Sequence, residues 1–124
     1  MQILIIGGFL VAAIINLLPL MGVMGAPHLE RMYGVSIKGA DMAVLMRHRA
    51  ILFGVVGTLL AAAAFMPSLR LTAFLAGMLS MVSFLVFQAL EGETNAALGK
   101  VAMVDYVGIA ALAIAGVAVW MQSD

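Results

Sequence analysis

Hydrophobic residues fill this chain in four long runs, and three shorter stretches between them hold most of the polar residues. The runs cover about residues 2–21, 42–66, 69–90 and 100–121, close to the roughly 20 apolar residues that a helix needs to cross a bilayer. The pattern therefore predicts an all-α fold. Residues 1–124 are expected to form a single integral membrane domain, a four-helix bundle in up-down-up-down order.

The connection between the first two runs is predicted to carry a short helix of its own. Pro27 suits the first turn of a helix and Gly34 suits the position just past its end, so the helix is placed at residues 27–33. Pro19 lacks a backbone N–H and is expected to end or kink the first span. The short helix is interpreted as an interfacial connector or as a lid over the end of the bundle.

The second run starts inside a charged stretch, with Asp41 as the expected N-cap. Its strictly apolar part, residues 50–66, would span only about 25 Å at 1.5 Å per residue, against roughly 30 Å of hydrocarbon. The helix must therefore draw in part of residues 43–49, which brings Arg49 into the edge of the membrane. His48 is the second candidate for this position.

Small residues recur at helical spacing within the runs. Gly54, Thr58 and Ala62 stand four apart in the second run, and Gly77 and Gly108 begin similar stripes in the third and fourth. Helices associate in lipid by close packing of small residues. Gly54 and Gly77 are therefore predicted at contacts between helices inside the bundle. A lipid-facing stripe would instead indicate an accessory subunit, and a homo-oligomer also stays open.

Composition supports a membrane protein and removes several classes of function. The chain is 65% hydrophobic and 10% charged, whereas soluble domains are about 45–50% apolar and about 25% charged. Its net charge of zero gives no basic footprint for nucleic acid. With no cysteine, and with His28 and His48 far apart in the sequence, neither a metal site nor a cofactor is predicted.

The basic residues indicate an orientation. Five of the six lie on the side of the predicted bundle that carries the loops 22–41 and 92–99: Arg31, Lys38, Arg47, Arg49 and Lys100. Only Arg70 lies on the opposite side. The positive-inside rule then places the loop side in the cytoplasm and both termini outside.

Polar residues close to the apolar runs converge at the same end of the predicted bundle. They are predicted to form a ligand-binding site there: Asn16, Tyr33, His48, Arg49, Gln88, Glu91 and Asp105. Arg49 and Asp105 are the expected pair, because each offsets the desolvation cost of the other. His48 is the group best able to change charge near pH 7. His48 and Arg49 point about 100° apart on a helix, so only one of them is expected to face inward.

One cluster of residues resembles a known family, the small bacterial four-span proteins of the DoxX-like kind. The resemblance rests on the stretch LMRHRA that opens the second span, on Asn95 and Asp105, and on Pro19, Pro27, Leu29, Tyr33 and Gly34. It implies a four-helix membrane bundle, multi-pass in the bacterial inner membrane. It implies no settled biochemistry.

Three functions stay open on these observations. The first is binding of a membrane lipid or of a quinone-like or isoprenoid-like ligand by its polar head, on the cytoplasmic side. The second is a small membrane enzyme acting on such a lipid, with His48 and a carboxylate as acid and base. The third is an accessory subunit of a larger membrane complex. The sequence contains no Ser-His-Asp arrangement and no glycine-rich phosphate loop that would name a reaction.

Overall fold

The computed structural model describes residues 1–36, 38–92 and 94–122, without the side chains of residues 22–24, 26, 28, 29 and 32. Within these ranges the chain is helical and contains no strand. Five α-helices follow one another: α1 (Gln2–Leu17), α2 (Ala26–Tyr33), α3 (Ala40–Phe65), α4 (Arg70–Glu91) and α5 (Ala96–Gln122). Two 3₁₀ stretches, Leu18–Met24 and Pro67–Leu69, follow α1 and precede α4.

Four helical segments of the described chain are long and apolar enough to cross a membrane: Gln2–Met21, Ala40–Phe65, Pro67–Glu91 and Ala96–Gln122. The predicted all-helical class and the four long apolar segments are thereby confirmed. The segments carry many large apolar side chains on their outer surface, among them Ile3, Leu79 and Val117. A water-soluble domain rarely exposes apolar patches of this extent.

The short helix between the first two long segments is also confirmed. Pro27 lies in the first turn of α2, and Gly34 closes it in the left-handed conformation with φ 65°. The Gly34 N–H donates to the Glu30 carbonyl at 2.9 Å. The α-helical part of α1 ends at Leu17, two residues before Pro19, and the chain continues as the tighter 3₁₀ stretch.

Two predicted helix starts are wrong. Gly39, with φ 85°, stands at the N-cap of α3, so Asp41 lies in the first turn, where its carboxylate still suits the positive end of the helix dipole. Helix α5 begins at Ala96, four residues before the predicted start at 100. Asn95 makes this earlier start favourable, because its side-chain oxygen accepts the Leu98 N–H at 2.8 Å. Asp105 therefore lies about two and a half turns into α5.

Small residues at the contacts between helices set how closely the helices pack. Gly54 and Gly77 are buried, and a Cβ at Gly54 would come within 2.8 Å of Leu20. The prediction that both glycines lie at helix contacts is thus confirmed. The predicted stripe of small residues included Thr58, and this part of the prediction is wrong because Thr58 is exposed. Gly57 takes its place, with a virtual Cβ 2.6 Å from Leu17, because a three-residue step keeps the small positions turned toward α1.

The turn between α3 and α4 is held by a buried arginine. Arg70 is only 7% exposed, and its Nε and Nη2 donate to the carbonyls of Ala63 and Ala64 at 3.0 Å each. These carbonyls belong to the last turn of α3, which has no intrahelical donors for them. A guanidinium there satisfies both carbonyls and also suits the negative end of the helix dipole.

Candidate functional site

A cavity of about 340 Å³ opens where the end of α1, the amino-terminal halves of α3 and α5, α2 and one residue of α4 come together. We call it the mouth cavity. Its apolar walls are formed by Ile15, Leu18, Pro19, Phe53, Phe84, Ala97, Val101 and Val104. Its polar lining consists of Asn16, Arg31, Tyr33, Arg49, Lys100 and Asp105. The cavity thus combines a mostly apolar wall with several charged groups, as ligand sites for amphiphiles do.

Arg49 is held between two aromatic rings. Its guanidinium carbon lies 5.2 Å from the centre of the Tyr33 ring and 4.8 Å from the centre of the Phe53 ring. Both distances are within the range of a cation–π interaction. Phe53 follows Arg49 by four residues on α3 and therefore shares its face, while Tyr33 reaches it from the end of α2. This arrangement selects Arg49 rather than His48 as the residue that faces inward.

Asn16 joins the floor of the cavity to α4. It is 2% exposed, its Nδ2 donates to the Ala12 carbonyl at 2.9 Å, and its Oδ1 accepts the Ser80 hydroxyl at 2.8 Å. Both ends of the buried amide are therefore partnered, which removes the cost of placing it among apolar groups. The Ser80 bond crosses from α4 to α1 and fixes the position of Asn16 at the cavity.

Asn95 fastens α2 to the start of α5. Its Nδ2 donates to the carbonyls of Tyr33 and Gly34, both at 3.0 Å, while its Oδ1 caps α5 through Leu98. Gly34 lies so near that an added Cβ would stand 3.1 Å from the Cβ of Ala97. One amide side chain therefore holds the end of α2, and with it Tyr33, over the cavity.

Arg49 and Asp105 line the same cavity, from α3 and from α5. When Asp105 is ionised, the two side chains carry opposite charges and attract each other. Both residues therefore lie at the same end of the helices. The described structure shows no direct hydrogen bond between them, and their direct pairing stays a prediction.

The remaining predicted site residues lie outside the mouth cavity. His48 and Glu91 are exposed, and neither lines it. Gln88 is half-buried, and its Nε2 donates to the Thr94 hydroxyl at 3.1 Å in the connection to α5. The structure therefore brings together Asn16, Tyr33, Arg49 and Asp105 from the predicted set, and it places the other three elsewhere.

Two basic residues of the cavity were missed by the sequence reasoning. Arg31 and Lys100 were counted only for the orientation of the helices, and both line the cavity while remaining exposed. Helical spacing gave no signal for Lys100, since five residues place it about 140° around α5 from Asp105. With Arg49, these residues give the described lining of the cavity three basic side chains against one acidic side chain, Asp105.

A second groove, of about 380 Å³, runs between α3 and α4 and meets the mouth cavity. We call it the α3–α4 groove. Arg49, Phe53 and Phe84 belong to both spaces, and the groove continues past Leu52, Val56, Ser80, Ser83 and Phe87. Leu52 and Phe87 are exposed, so the groove, which shares part of its lining with the cavity, opens to the surroundings of the helices.

Comparison with known proteins gives no relative for this chain. No family model matches the sequence, no curated protein is significantly similar to it, and no solved structure matches its fold significantly.

Proposed function

We propose that this protein binds a lipid-like ligand in the mouth cavity, with the polar head of the ligand among the charged residues and its apolar part against the aromatic and aliphatic walls. The observation that carries the proposal is the cavity itself, in which Arg49 and Asp105 stand beside Phe53 and Phe84. Charged groups within membrane-spanning helices are expensive in lipid, and they commonly mark a functional site.

We further propose that the four long helices cross the membrane in up-down-up-down order. The contacts between them support this arrangement, because residue numbers that rise along one helix meet residue numbers that fall along its neighbour. Gly8 lies against Ala111 and Ala115, whereas Ile15 lies against Gly108. The same reversal relates α4 to α5, where Phe74 meets Gly116 and Met81 meets Gly108.

The distribution of basic residues supports a cytoplasmic position for the mouth cavity, with both termini outside. Arg70, the basic residue on the opposite side, donates hydrogen bonds to carbonyl groups at the end of α3. An inner-membrane location and membership in the DoxX-like group remain proposals that rest on the LMRHRA resemblance. A reporter that is active only in the cytoplasm should be inactive at the carboxyl terminus and active within the α4–α5 connection, and the reverse result would overturn the orientation.

Binding is better supported than acid–base catalysis. The enzyme hypothesis requires His48 and a carboxylate to point into one space, and His48 lies on the exposed side of α3, outside the cavity. For a purely accessory subunit, a cavity with this charged lining has no evident use. We therefore take ligand binding as the function that the geometry supports best.

A pair of tryptophan substitutions on α5 tests the proposal. Val104 lines the mouth cavity and is 42% exposed, whereas Val107, three residues further along, is 60% exposed and does not line the cavity. In native mass spectrometry of protein extracted in a mild detergent, the unaltered protein and Val107→Trp should both retain a lipid adduct. Val104→Trp should lose it, because the indole fills the cavity. Equal retention by the two variants, or no adduct on the unaltered protein, would contradict the proposal.

A further inference from the structure

We infer that the head of the ligand carries a phosphate group, which Arg31, Arg49 and Lys100 bind together, and that its tail leaves the mouth cavity through the α3–α4 groove. The inference rests on the proposed lipid-binding function and adds the chemistry of the head and the path of the tail. Neither is required for a lipid site as such, since a quinone or an alcohol would also fill a cavity of this size.

The charges of the cavity favour an anionic head. Three cations from three different helices, α2, α3 and α5, face one carboxylate, so the lining carries two positive charges in excess. A phosphate monoester carries roughly 1.5 to 2 negative charges at neutral pH, which balances this excess. A neutral quinone ring or hydroxyl head would leave it uncompensated, and a carboxylate head would balance only half of it.

The contacts of Arg49 leave it able to bind such a group. Its positive charge interacts with the Tyr33 and Phe53 rings, which use none of its N–H donors. A guanidinium presents these donors in a fixed planar fork that matches two oxygens of a phosphate. The rings also restrict how far the side chain can turn, so less freedom is lost when a ligand binds.

Asp105 and Lys100 add selectivity at the same place. Lys100 is exposed and its flexible stem lets the ammonium follow a head group, as a point charge does for phosphate. Asp105 can accept a hydrogen bond from a hydroxyl on the ligand, or from a phosphate that has kept one proton. Without a ligand, it partly offsets the charge of Arg49.

The sizes of the two spaces indicate where the tail of the ligand lies. A cavity of about 340 Å³ is at the lower end of the range for ligand sites, roughly 300–1,000 Å³, and holds a head group with a few carbons but not a whole lipid. The α3–α4 groove shares Arg49, Phe53 and Phe84 with the cavity, and its lining includes the exposed Leu52 and Phe87. A chain that follows it passes Arg49 where the two spaces share their lining, and Arg49 is the charged residue that holds the head; the rest of the groove lining is uncharged.

The inference is tested with three probes on the full-length protein in phosphatidylcholine nanodiscs: hexadecyl phosphate, hexadecanol and inorganic phosphate. Native mass spectrometry measures the bound fraction of each. Hexadecyl phosphate should be retained and hexadecanol should not. Lys100→Gln should weaken hexadecyl phosphate binding about fivefold, the effect of removing one basic residue near a charged head. The matched control is Lys38→Gln, which removes the same charge from an exposed residue outside the cavity and should leave binding unchanged.

The results distinguish a failure of this inference from a failure of the proposed lipid-binding function. If hexadecanol binds as well as hexadecyl phosphate and Val104→Trp removes both, the lipid site stands and the phosphate head is overturned. If Lys38→Gln weakens binding as much as Lys100→Gln, the effect belongs to general surface charge, and the assigned cations are overturned. If inorganic phosphate displaces hexadecyl phosphate at equal concentration, the tail path is overturned. If Val104→Trp leaves hexadecyl phosphate bound, the proposed function itself fails.

Discussion

The amide of Asn95 performs two separable tasks, and two substitutions should separate them. Its oxygen caps α5 by accepting the Leu98 N–H, and its nitrogen holds α2 by donating to the Tyr33 and Gly34 carbonyls. Asn95→Ala removes all three hydrogen bonds. Asn95→Asp keeps an acceptor for Leu98 and loses the donors.

The expected magnitudes follow from these contacts. Loss of an N-cap costs about 1 kcal/mol. The two bonds to α2 are half-buried and exposed, so we take the low end of the usual range, about 0.5 kcal/mol each. Asn95→Ala should therefore lower the free energy of unfolding by about 2 kcal/mol. Asn95→Asp should lower it by about 1 kcal/mol or less, because a carboxylate at the start of α5 also suits the helix dipole.

Free energies of unfolding from SDS titration in mixed micelles test the totals, and hydrogen exchange of single amides tests the assignment. The Gly34 N–H, which closes α2, should exchange faster in both variants. The Leu98 N–H should exchange faster only in Asn95→Ala. If Asn95→Asp loses protection at Leu98 as well, or if neither variant changes α2, the two-task account of Asn95 is wrong.

The remaining predictions concern packing and charge. Gly7→Ala should stabilise the protein by about 0.5–1 kcal/mol, since nothing lies within 4 Å of a Cβ added there. Gly8→Ala should destabilise it by about 1–2 kcal/mol, because the added Cβ would stand 2.5 Å from the Ala111 carbonyl oxygen. Equal shifts of the two variants in thermal unfolding would contradict this reasoning. Arg49→Ala should destabilise the protein and Asp105→Asn should restore part of the loss, and a double-mutant cycle with coupling below about 0.5 kcal/mol would end the pairing hypothesis. Arg70→Ala should cost about 3 kcal/mol in the same assay, since two buried carbonyls lose a charged donor, and a neutral result would refute its capping role.

Local signals in the sequence were enough to predict most of the helices. Proline and glycine marked α2 at both ends, because Pro27 fits only the first turn and Gly34 adopts a left-handed conformation. Long apolar runs located the four candidate spans. The start of α5 could not be placed from such signals, because the amide that caps it is also held by contacts with α2, which are distant in sequence.

The direction in which α3 faces was also open in the sequence, although a usable signal was present. Ala50, Gly54 and Gly57 are all buried and turn one side of α3 toward the other helices. His48 precedes Ala50 by two residues, or about 200°, and therefore faces away from the interior, whereas Arg49 flanks the buried side. The small residues thus decide between the two candidates more reliably than their polarity does.

The charge of the cavity was underestimated for a related reason. Arg31 and Lys100 stand near helix ends, where a basic side chain ordinarily reaches out to lipid head groups. Only the way in which α2 and α5 are joined turns both residues toward one space. Arg70 was counted only for the orientation, and its burial depends on the turn that brings it beside the end of α3.

Photo-crosslinking with an alkyl phosphate that carries a diazirine midway along its chain tests the central claim most directly, because it reports where the tail lies. In phosphatidylcholine nanodiscs, peptide mapping should find adducts concentrated around Phe53 and Phe84, where the mouth cavity meets the α3–α4 groove. Val104→Trp should abolish them and Val107→Trp should not. Adducts spread evenly over exposed residues such as Leu79 and Val117, as for bulk lipid, would contradict a lipid-binding site in the cavity.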